Sequence, residues 1–449
     1  MTILDVRLDG FTDPIGKLSR RSSGAINFAY APDYLRNPDA IPLSLALPLT
    51  DEPYGDVQAR AFFDNLLQER DQALTSIMGR YEISRDDIVG LLFHMGKDCA
   101  GALSVLPEGA PPVKVPGNYD TDYTPLSEAR MEEIVESLHR RRTLPSDMED
   151  PSPLAGMQSK IALTMLPDGR FAEPMQGSGA PTTHILKVPD PDHPNDALHE
   201  ATTMRLSRAM RFPTADIEVV PFSSIEALLV TRYDRSLDED GRVLRVHQED
   251  FAQALGLPSS LKYERRGAPE RRFDVEGIAR VLNSTSSPAE ERLFFIRATI
   301  FDLLVGNVDG HAKNFAILYG QRGASRLSPR YDVMPTRLDA NLTDELAYRI
   351  GNASRIGDIG PGEFDDFLKQ LGIATGAARR RLRDTHVPDI ARQLASHLGA
   401  LDKANLKKLA DLIAANTKTL LGALSLEVPP EAANRDAYVV KGGGWGLGS

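Results

Sequence analysis

Two hydrophobic periods alternate along this chain. Over residues 1 to about 30 apolar positions recur at every second residue, in ILDVRLDG and AINFAYAP, with Gly10, Gly16 and Gly24 at the breaks; this predicts short antiparallel strands. From Arg60 the period lengthens to that of a helix, with Phe62, Phe63, Leu66 and Leu67 on one side of RAFFDNLLQER. Ser84 and Asp87 have the spacing of a helix start, ahead of the apolar face Ile88, Val89, Leu91, Leu92 and Met95 and a stop at Gly96. Residues 107–125, rich in proline and glycine, predict an extended linker before the charged helix SEARMEEIVESLHRRR. Further on, IALTMLPDGRF predicts two strands turned at Pro167-Asp168-Gly169, and Thr183 to Val188 a third strand. HEATTMRLSRAM predicts a helix that Glu200 begins, and IEALLVTRYDR a buried strand that turns polar at Thr231. Gln248-Glu249-Asp250 reads as the acidic start of a helix FAQALGL closed by Gly256, where the acids favour the positive end of the helix dipole. Glu290 to Val305 predicts a long buried helix and Phe315 to Tyr319 a strand. Beyond Asp344 the pattern is mostly helical, with Lys403 to Leu424 amphipathic, and from Glu427 the polar, glycine-rich PPEAANRDAYVVKGGGWGLGS predicts a loose tail.

Length changes the picture first, because 449 residues exceed one small core and predict two or three domains. The segments divide as an N-terminal α+β subdomain at 1–106, a linker and helix at 107–150, a strand-rich part at 151–235, a helical lobe at 236–425 and a flexible tail at 426–449. A net charge of -11 argues against nucleic acid as the ligand of the whole surface, while leaving room for a local basic patch. Cys99 is the sole cysteine, which excludes an intrachain disulfide and a thiolate zinc cluster and suits a reducing cytoplasm. The N-terminal MTILDVRLDGFTDP lacks the apolar core of a signal peptide, and no run of about 18 apolar residues occurs, so a cytoplasmic protein with no membrane partner is expected.

The candidate chemistry is concentrated in Leu303 to Asn314, LLVGNVDGHAKN, where an apolar run hands over abruptly to acid, imidazole, ammonium and amide. Asp309 and Asn314 stand five positions apart. That is the spacing of a kinase catalytic loop, in which Asp accepts the proton of the acceptor hydroxyl and Asn holds magnesium. Asp332, in Arg330-Tyr331-Asp332-Val333, stands where a second metal-binding acid is needed. His311 follows Asp309 instead of preceding it, and Val333-Met334 replaces Phe-Gly, so the ordinary protein-kinase signature is absent. Lys187 places an ammonium inside an apolar strand, as kinase-like folds do for the nucleotide phosphates, and Glu200 stands thirteen residues on, able to orient it. The glycine-bearing segment Ala155-Gly156-Met157-Gln158-Ser159-Lys160 could lay backbone N–H groups over phosphates. Thr231-Arg232-Tyr233 would form a hinge against an adenine edge.

In order, FFDNLL, GKDCAGAL, LAGMQSK, THILK, TRYDR, QEDFAQALG, GNVDGHAKNF and YDV make the chain resemble, from about residue 5 to 420, the HipA family of bacterial serine/threonine kinases, the toxins of HipBA toxin–antitoxin modules. The resemblance implies an α+β, two-lobed kinase-like fold. A small N-terminal α/β subdomain would be joined to a larger, mostly helical C-terminal one, with ATP between them. It implies that Asp309 is the catalytic aspartate, that Asn314 and Asp332 hold Mg2+, and that Lys187 contacts the ATP phosphates. It further implies that Ala155 to Lys160 is the phosphate loop, Thr231 to Tyr233 the hinge, and His311, Ala312, Lys313 and Asn314 with Tyr331 the remaining nucleotide contacts. As partners it implies a HipB-like helix-turn-helix antitoxin, operator DNA through that complex, and a protein substrate such as an aminoacyl-tRNA synthetase. The serine that family members autophosphorylate falls on Pro153 here, which leaves the adjacent Ser152 as the substitute. Two other readings stay open: a catalytically weak corepressor that binds antitoxin and operator DNA, and a kinase-fold enzyme with a lipid or small-molecule acceptor.

Overall fold

The computed structural model describes residues 2–67, 72–148, 159–320 and 323–435. The chain divides into two compact units, Met1–Ala201 with Ala215–Lys262 and Ala316–Pro329, and Thr202–Thr214 with Tyr263–Phe315 and Arg330–Ser449. The first unit therefore runs past the boundary expected at residue 236 and returns for a segment beyond residue 315.

The first unit opens with β1 (Thr2–Leu8), β2 (Gly16–Arg20) and β3 (Ile26–Tyr30), and β4 (Leu103–Pro107) completes an antiparallel sheet of order β3-β2-β1-β4. The alternation read from the sequence is the pleat: Leu4, Val6 and Leu8 all point into the core, together with Leu18, Phe28 and Val105. The helices Asp56–Phe63 and Ile88–Met95 cover that face. The first tightens into a 3-10 turn at Asp64–Leu66, earlier than the periodicity predicts, while Phe62, Phe63, Leu66 and Leu67 are buried as expected. Asp87, rather than Ser84, caps the second, its carboxylate accepting from the Gly90 N–H at 2.9 Å. Gly96 ends it where a Cβ would run into the Val105 carbonyl, a close approach only glycine permits.

Next come β5 (Tyr123–Pro125), β6 (Lys160–Met165), β7 (Phe171–Pro174), β8 (His184–Lys187), β9 (Ile217–Phe222) and β10 (Ile225–Thr231), in a sheet of order β5-β7-β6-β8-β10-β9. The helix Glu128–Arg141, capped by Ser127, lays Met131, Ile134, Val135 and Leu138 against Ile161, Leu163, Leu186 and Val188 of this sheet. A ribbon of β11 (Arg235–Leu237) and β12 (Val243–Arg245) follows, then β13 (Gln248–Asp250), which pairs with β14 (Ala316–Tyr319), itself paired with β15 (Ser325–Leu327).

β13 corrects the sequence reading of Gln248-Glu249-Asp250 as a helix start. Asp250 does cap the short helix Phe251–Ala254 in a capping box with Gln253. Glu249 instead lies on the opposite face of the strand from Asp250 and is fully buried. Its carboxylate accepts from Ser44 Oγ at 2.5 Å, Leu45 N at 2.9 Å and Tyr319 Oη at 2.5 Å. The same region is tied to the N-terminal sheet by the buried Arg245, which binds Asp9 at 2.6 Å and Asp98 at 3.0 Å, and by Asn65, which donates to Leu257 O at 2.8 Å. Residues 1–106 are thus joined to this region through buried ionic and hydrogen-bonded contacts.

The second unit is mostly helical. Pro288–Val305 is the predicted long helix, buried from Phe295 onward apart from Arg297, and it packs against Gly376–Lys403 and Lys407–Ala423. The amphipathic stretch Lys403 to Leu424 is broken between those two helices. The expected tail begins as structure: Pro430–Ala433 is a helical turn with Ala432 buried, and Arg435 pairs with Asp402 at 2.5 Å and Asp411 at 3.3 Å. Among the described residues no helix is long and apolar enough to cross a membrane.

Candidate active site

Within the first unit, β8 lies between β6 and β10, so Lys187 occupies an interior strand and not an edge. Its ammonium donates to Glu200 Oε1 at 2.7 Å, with 12% and 3% of the two side chains exposed. Glu200 comes from the helix Asp196–Ala209, which starts before that residue. Lys160 stands directly across the β6–β8 ladder from Lys187. Directly opposed like charges destabilise a sheet, and the Glu200 carboxylate beside Lys187 offsets that repulsion. Ser159 accepts from the Val188 N–H at 2.9 Å, which fixes the point where the chain enters β6. Ala155, Gly156, Met157 and Gln158, with Ser152 and Pro153, lie outside the described residues.

Thr231 ends β10 with its N–H on Asp216 O at 2.8 Å, and Arg232 N–H continues on Thr183 O at 2.9 Å. The Arg232 side chain is buried and makes a two-pronged contact of 3.0 Å on each arm with Asp234, so this side chain serves the fold. Tyr233 donates to Gln248 Oε1 at 2.7 Å.

The second unit builds the loop around Asp309. The helix Pro288–Val305 ends at Gly306, whose φ of +80 is the left-handed cap that turns the chain. Asp302, near the end of that helix, accepts from Asn307 Nδ2 at 3.1 Å and from the Arg330 guanidinium. Burial pushes the Asp302 carboxyl up, against the pull of Arg330 and Asn307. Asn307 Oδ1 in turn accepts from the Asp309 N–H at 3.2 Å. The Asp309 carbonyl accepts from His311 N at 2.7 Å and from Asn314 Nδ2 at 3.0 Å, so Asp309 and Asn314 close one compact turn. Ala312 to Asn314 form a 3-10 turn with Ala312 buried. Tyr331 Oη donates to Lys313 O at 2.8 Å, which tethers the segment carrying Asp332 beside that turn, and Asp332 itself adopts a left-handed φ of +56. Aspartate is one of the residue types that enter this region most readily.

Among the described residues no cluster of three or more His, Cys, Asp or Glu side chains could hold a metal alone. Asn314 and Asp332 could offer an amide and a carboxylate oxygen, donor types that fit magnesium when phosphate oxygens and water complete the octahedron. Sequence reasoning missed Asp302, Asn307, Arg330 and Tyr263, whose hydroxyl donates to Asp309 Oδ1 at 2.7 Å. A charged residue in the apolar end ATIFDLLV of that helix could have flagged Asp302; Tyr263 in the polar run KYERR carries no local signal.

Comparison with known proteins shows the family to which the chain belongs. A family model described as the HipA N-terminal domain matches residues 4–106, and one described as the HipA-like C-terminal domain matches residues 152–400. The chain is 36% identical over 420 residues to a Sinorhizobium fredii protein, Y4mE, that bears a kinase name, covering 93% of this chain and 98% of that one. It is 29% identical over 398 residues to the serine/threonine-protein kinase toxin HipA of Shewanella oneidensis, covering 85% of each. The solved Shewanella oneidensis complex of HipA, HipB and operator DNA contains a chain that matches with a TM-score of 0.76 and 25% identity, over 95% of this chain and 100% of that one.

Proposed function

We propose, for a chain that belongs to the HipA family of serine/threonine kinase toxins, ATP- and magnesium-dependent phosphorylation of a serine or threonine on a protein. The observation that carries this reading is the Asp309–Asn314 turn, hydrogen-bonded through the Asp309 carbonyl and tethered by Tyr331 to the segment bearing Asp332. In this reading Asp309 takes the proton of the acceptor hydroxyl as its oxygen bonds to the transferred phosphoryl group and ADP leaves. Asn314 and Asp332 would hold magnesium, which neutralises developing charge on the phosphate oxygens when bound. Lys187, oriented by Glu200, would take phosphate oxygens with help from Ala155 to Lys160, and Thr231 to Tyr233 would line the adenine through their backbone. His311, Ala312, Lys313 and Tyr331 would complete the nucleotide contacts. Phosphoryl transfer asks for positioned cations and a proton acceptor more than for covalent chemistry, and in this reading the residues named would supply both.

The finer reading makes the protein a cytoplasmic toxin of a toxin–antitoxin pair, held by a HipB-like helix-turn-helix antitoxin and reaching operator DNA through it. Its substrate would be a translation component such as an aminoacyl-tRNA synthetase. What supports this is the relative whose solved complex contains HipA, HipB and operator DNA. Incubation with γ-labelled ATP and magnesium in a bacterial lysate tests it. Label should appear on serine or threonine of a discrete protein, whereas label on lipid or small molecules alone, or none, refutes the reading.

A further inference from the structure

Asp309 is held at its backbone by Asn307, His311 and Asn314, and its side chain has a separate restraint. A carboxylate acting as a base must present one oxygen to the acceptor, and rotation about its terminal bond is otherwise broad. Tyr263, from a different stretch of the second unit, donates to Asp309 Oδ1 at 2.7 Å. Its half-buried ring is itself fixed: the Arg265 and Arg266 guanidinium carbons stand 4.2 and 4.9 Å from its centroid, and His311 meets it edge-on at 5.2 Å. Burial, and next the adjacent Asp309 carboxylate, push the phenol above its ordinary range, so it remains a donor. Glu264, between the tyrosine and these arginines, accepts from the Arg349 N–H at 2.6 Å and anchors the 3-10 turn Glu264–Arg266 that carries them.

We propose that Tyr263 is a positioning residue for the proposed base: it engages Oδ1 of Asp309 and so sets the direction in which Oδ2 meets the acceptor hydroxyl. The proposal rests on the reading of Asp309 as base. The arginines act on the ring, as cations over an aromatic face, and keep the hydroxyl aimed. A charge-assisted hydrogen bond of this kind, lost without loss of the ring, changes the rate more than the binding of either substrate.

The test is steady-state kinetics of the full chain with Tyr263→Phe, which keeps the ring packing and removes only the hydroxyl. The expected result is a fall in kcat of about ten- to hundredfold with the KM for ATP and for the acceptor each within about twofold. A merely structural contact would move the melting temperature or the KM values instead. In an Asp309→Asn background, measured by single-turnover label transfer, adding Tyr263→Phe should cost nothing further. Unchanged kcat in Tyr263→Phe, a change confined to KM, an equal loss in both backgrounds, or phosphate found on Tyr263 itself overturns the proposal. If Asp309→Asn transfers at the wild-type rate, the reading of Asp309 has failed and the role of Tyr263 falls with it. If Asp309→Asn is inactive while Tyr263→Phe is normal, only the present inference has failed. Where the Asp309→Asn rate is too low to divide further, the split between kcat and KM decides alone.

Discussion

Replacing Glu249 with glutamine should make the protein more stable above neutral pH and leave it no more stable below about pH 5. Burial, against the opposing donors Ser44, Tyr319 and Leu45 N–H, pushes the Glu249 carboxyl from its ordinary 4.5 up to about 7. A group whose folded value is raised contributes stability that is complete below its unfolded value and is lost as pH rises through the folded one. One pH unit of difference corresponds to about 1.4 kcal/mol, so holding the ionised form inside the fold costs up to about 3 kcal/mol by pH 8. Glutamine mimics the neutral acid: its oxygen can accept from Leu45 N and Tyr319 Oη, and its amide can donate to Ser44 Oγ. Equilibrium urea unfolding of both proteins at pH 5, 6, 7 and 8 gives the comparison. The difference between them should change with pH in favour of the variant, most steeply between about 4.5 and 7. A constant difference across the range would refute the reasoning, because it would mean that Glu249 titrates alike in the folded and unfolded chains.

Lys187→Ala should weaken ATP binding by about tenfold or more in calorimetry, since a lysine held by Glu200 would lose its phosphate contact, while Lys403→Ala, at the end of a surface helix, should not change it. Equal affinities for wild type and Lys187→Ala would show that β8 has been misassigned. Deleting residues 430–449 should lower the melting temperature by a few degrees, through loss of the buried Ala432 and of the Arg435 pairs with Asp402 and Asp411. Arg435→Ala alone should cost at most about 1 kcal/mol, being a pair of partly exposed groups. Mass spectrometry after incubation with ATP and magnesium should find any self-inhibiting phosphate on Ser152 first and Ser159 second, because Pro153 has no hydroxyl and stiffens the chain there. A high-occupancy phosphate elsewhere, coupled to loss of activity, would remove this segment as the switch.

What the sequence made legible depended on how local the cause was. The strands of the N-terminal sheet and the helix Pro288–Val305 follow from apolar periods that need no distant partner. Lys187 stood out because an ammonium in an apolar strand requires a counter-charge, and Glu200 proved to be that partner. Gln248-Glu249-Asp250 differs from the helix start its pattern suggests because the local signature of a capping acid is the same for both carboxylates. Only Asp250 caps, while the partners of Glu249 include Ser44, 205 residues away. The start of the tail, as far as Arg435, departs from a loose segment for a related reason. A short turn such as Pro430–Ala433 has too few residues to show a period, and its anchor Arg435 binds carboxylates on two other helices. At the candidate site the spacing nominates Asp309 and Asn314, whereas the hydrogen bond of Tyr263 to Asp309 and the contact of Arg330 with Asp302 arise only on folding.

The most direct test of the central claim compares wild type with Asp309→Asn in purified form, following label transfer from ATP and magnesium to serine or threonine of a protein acceptor. The variant should fold with an unchanged melting temperature, bind ATP, and transfer at least about 10²-fold more slowly, the usual loss for a general base. A wild-type transfer rate in Asp309→Asn would contradict the account.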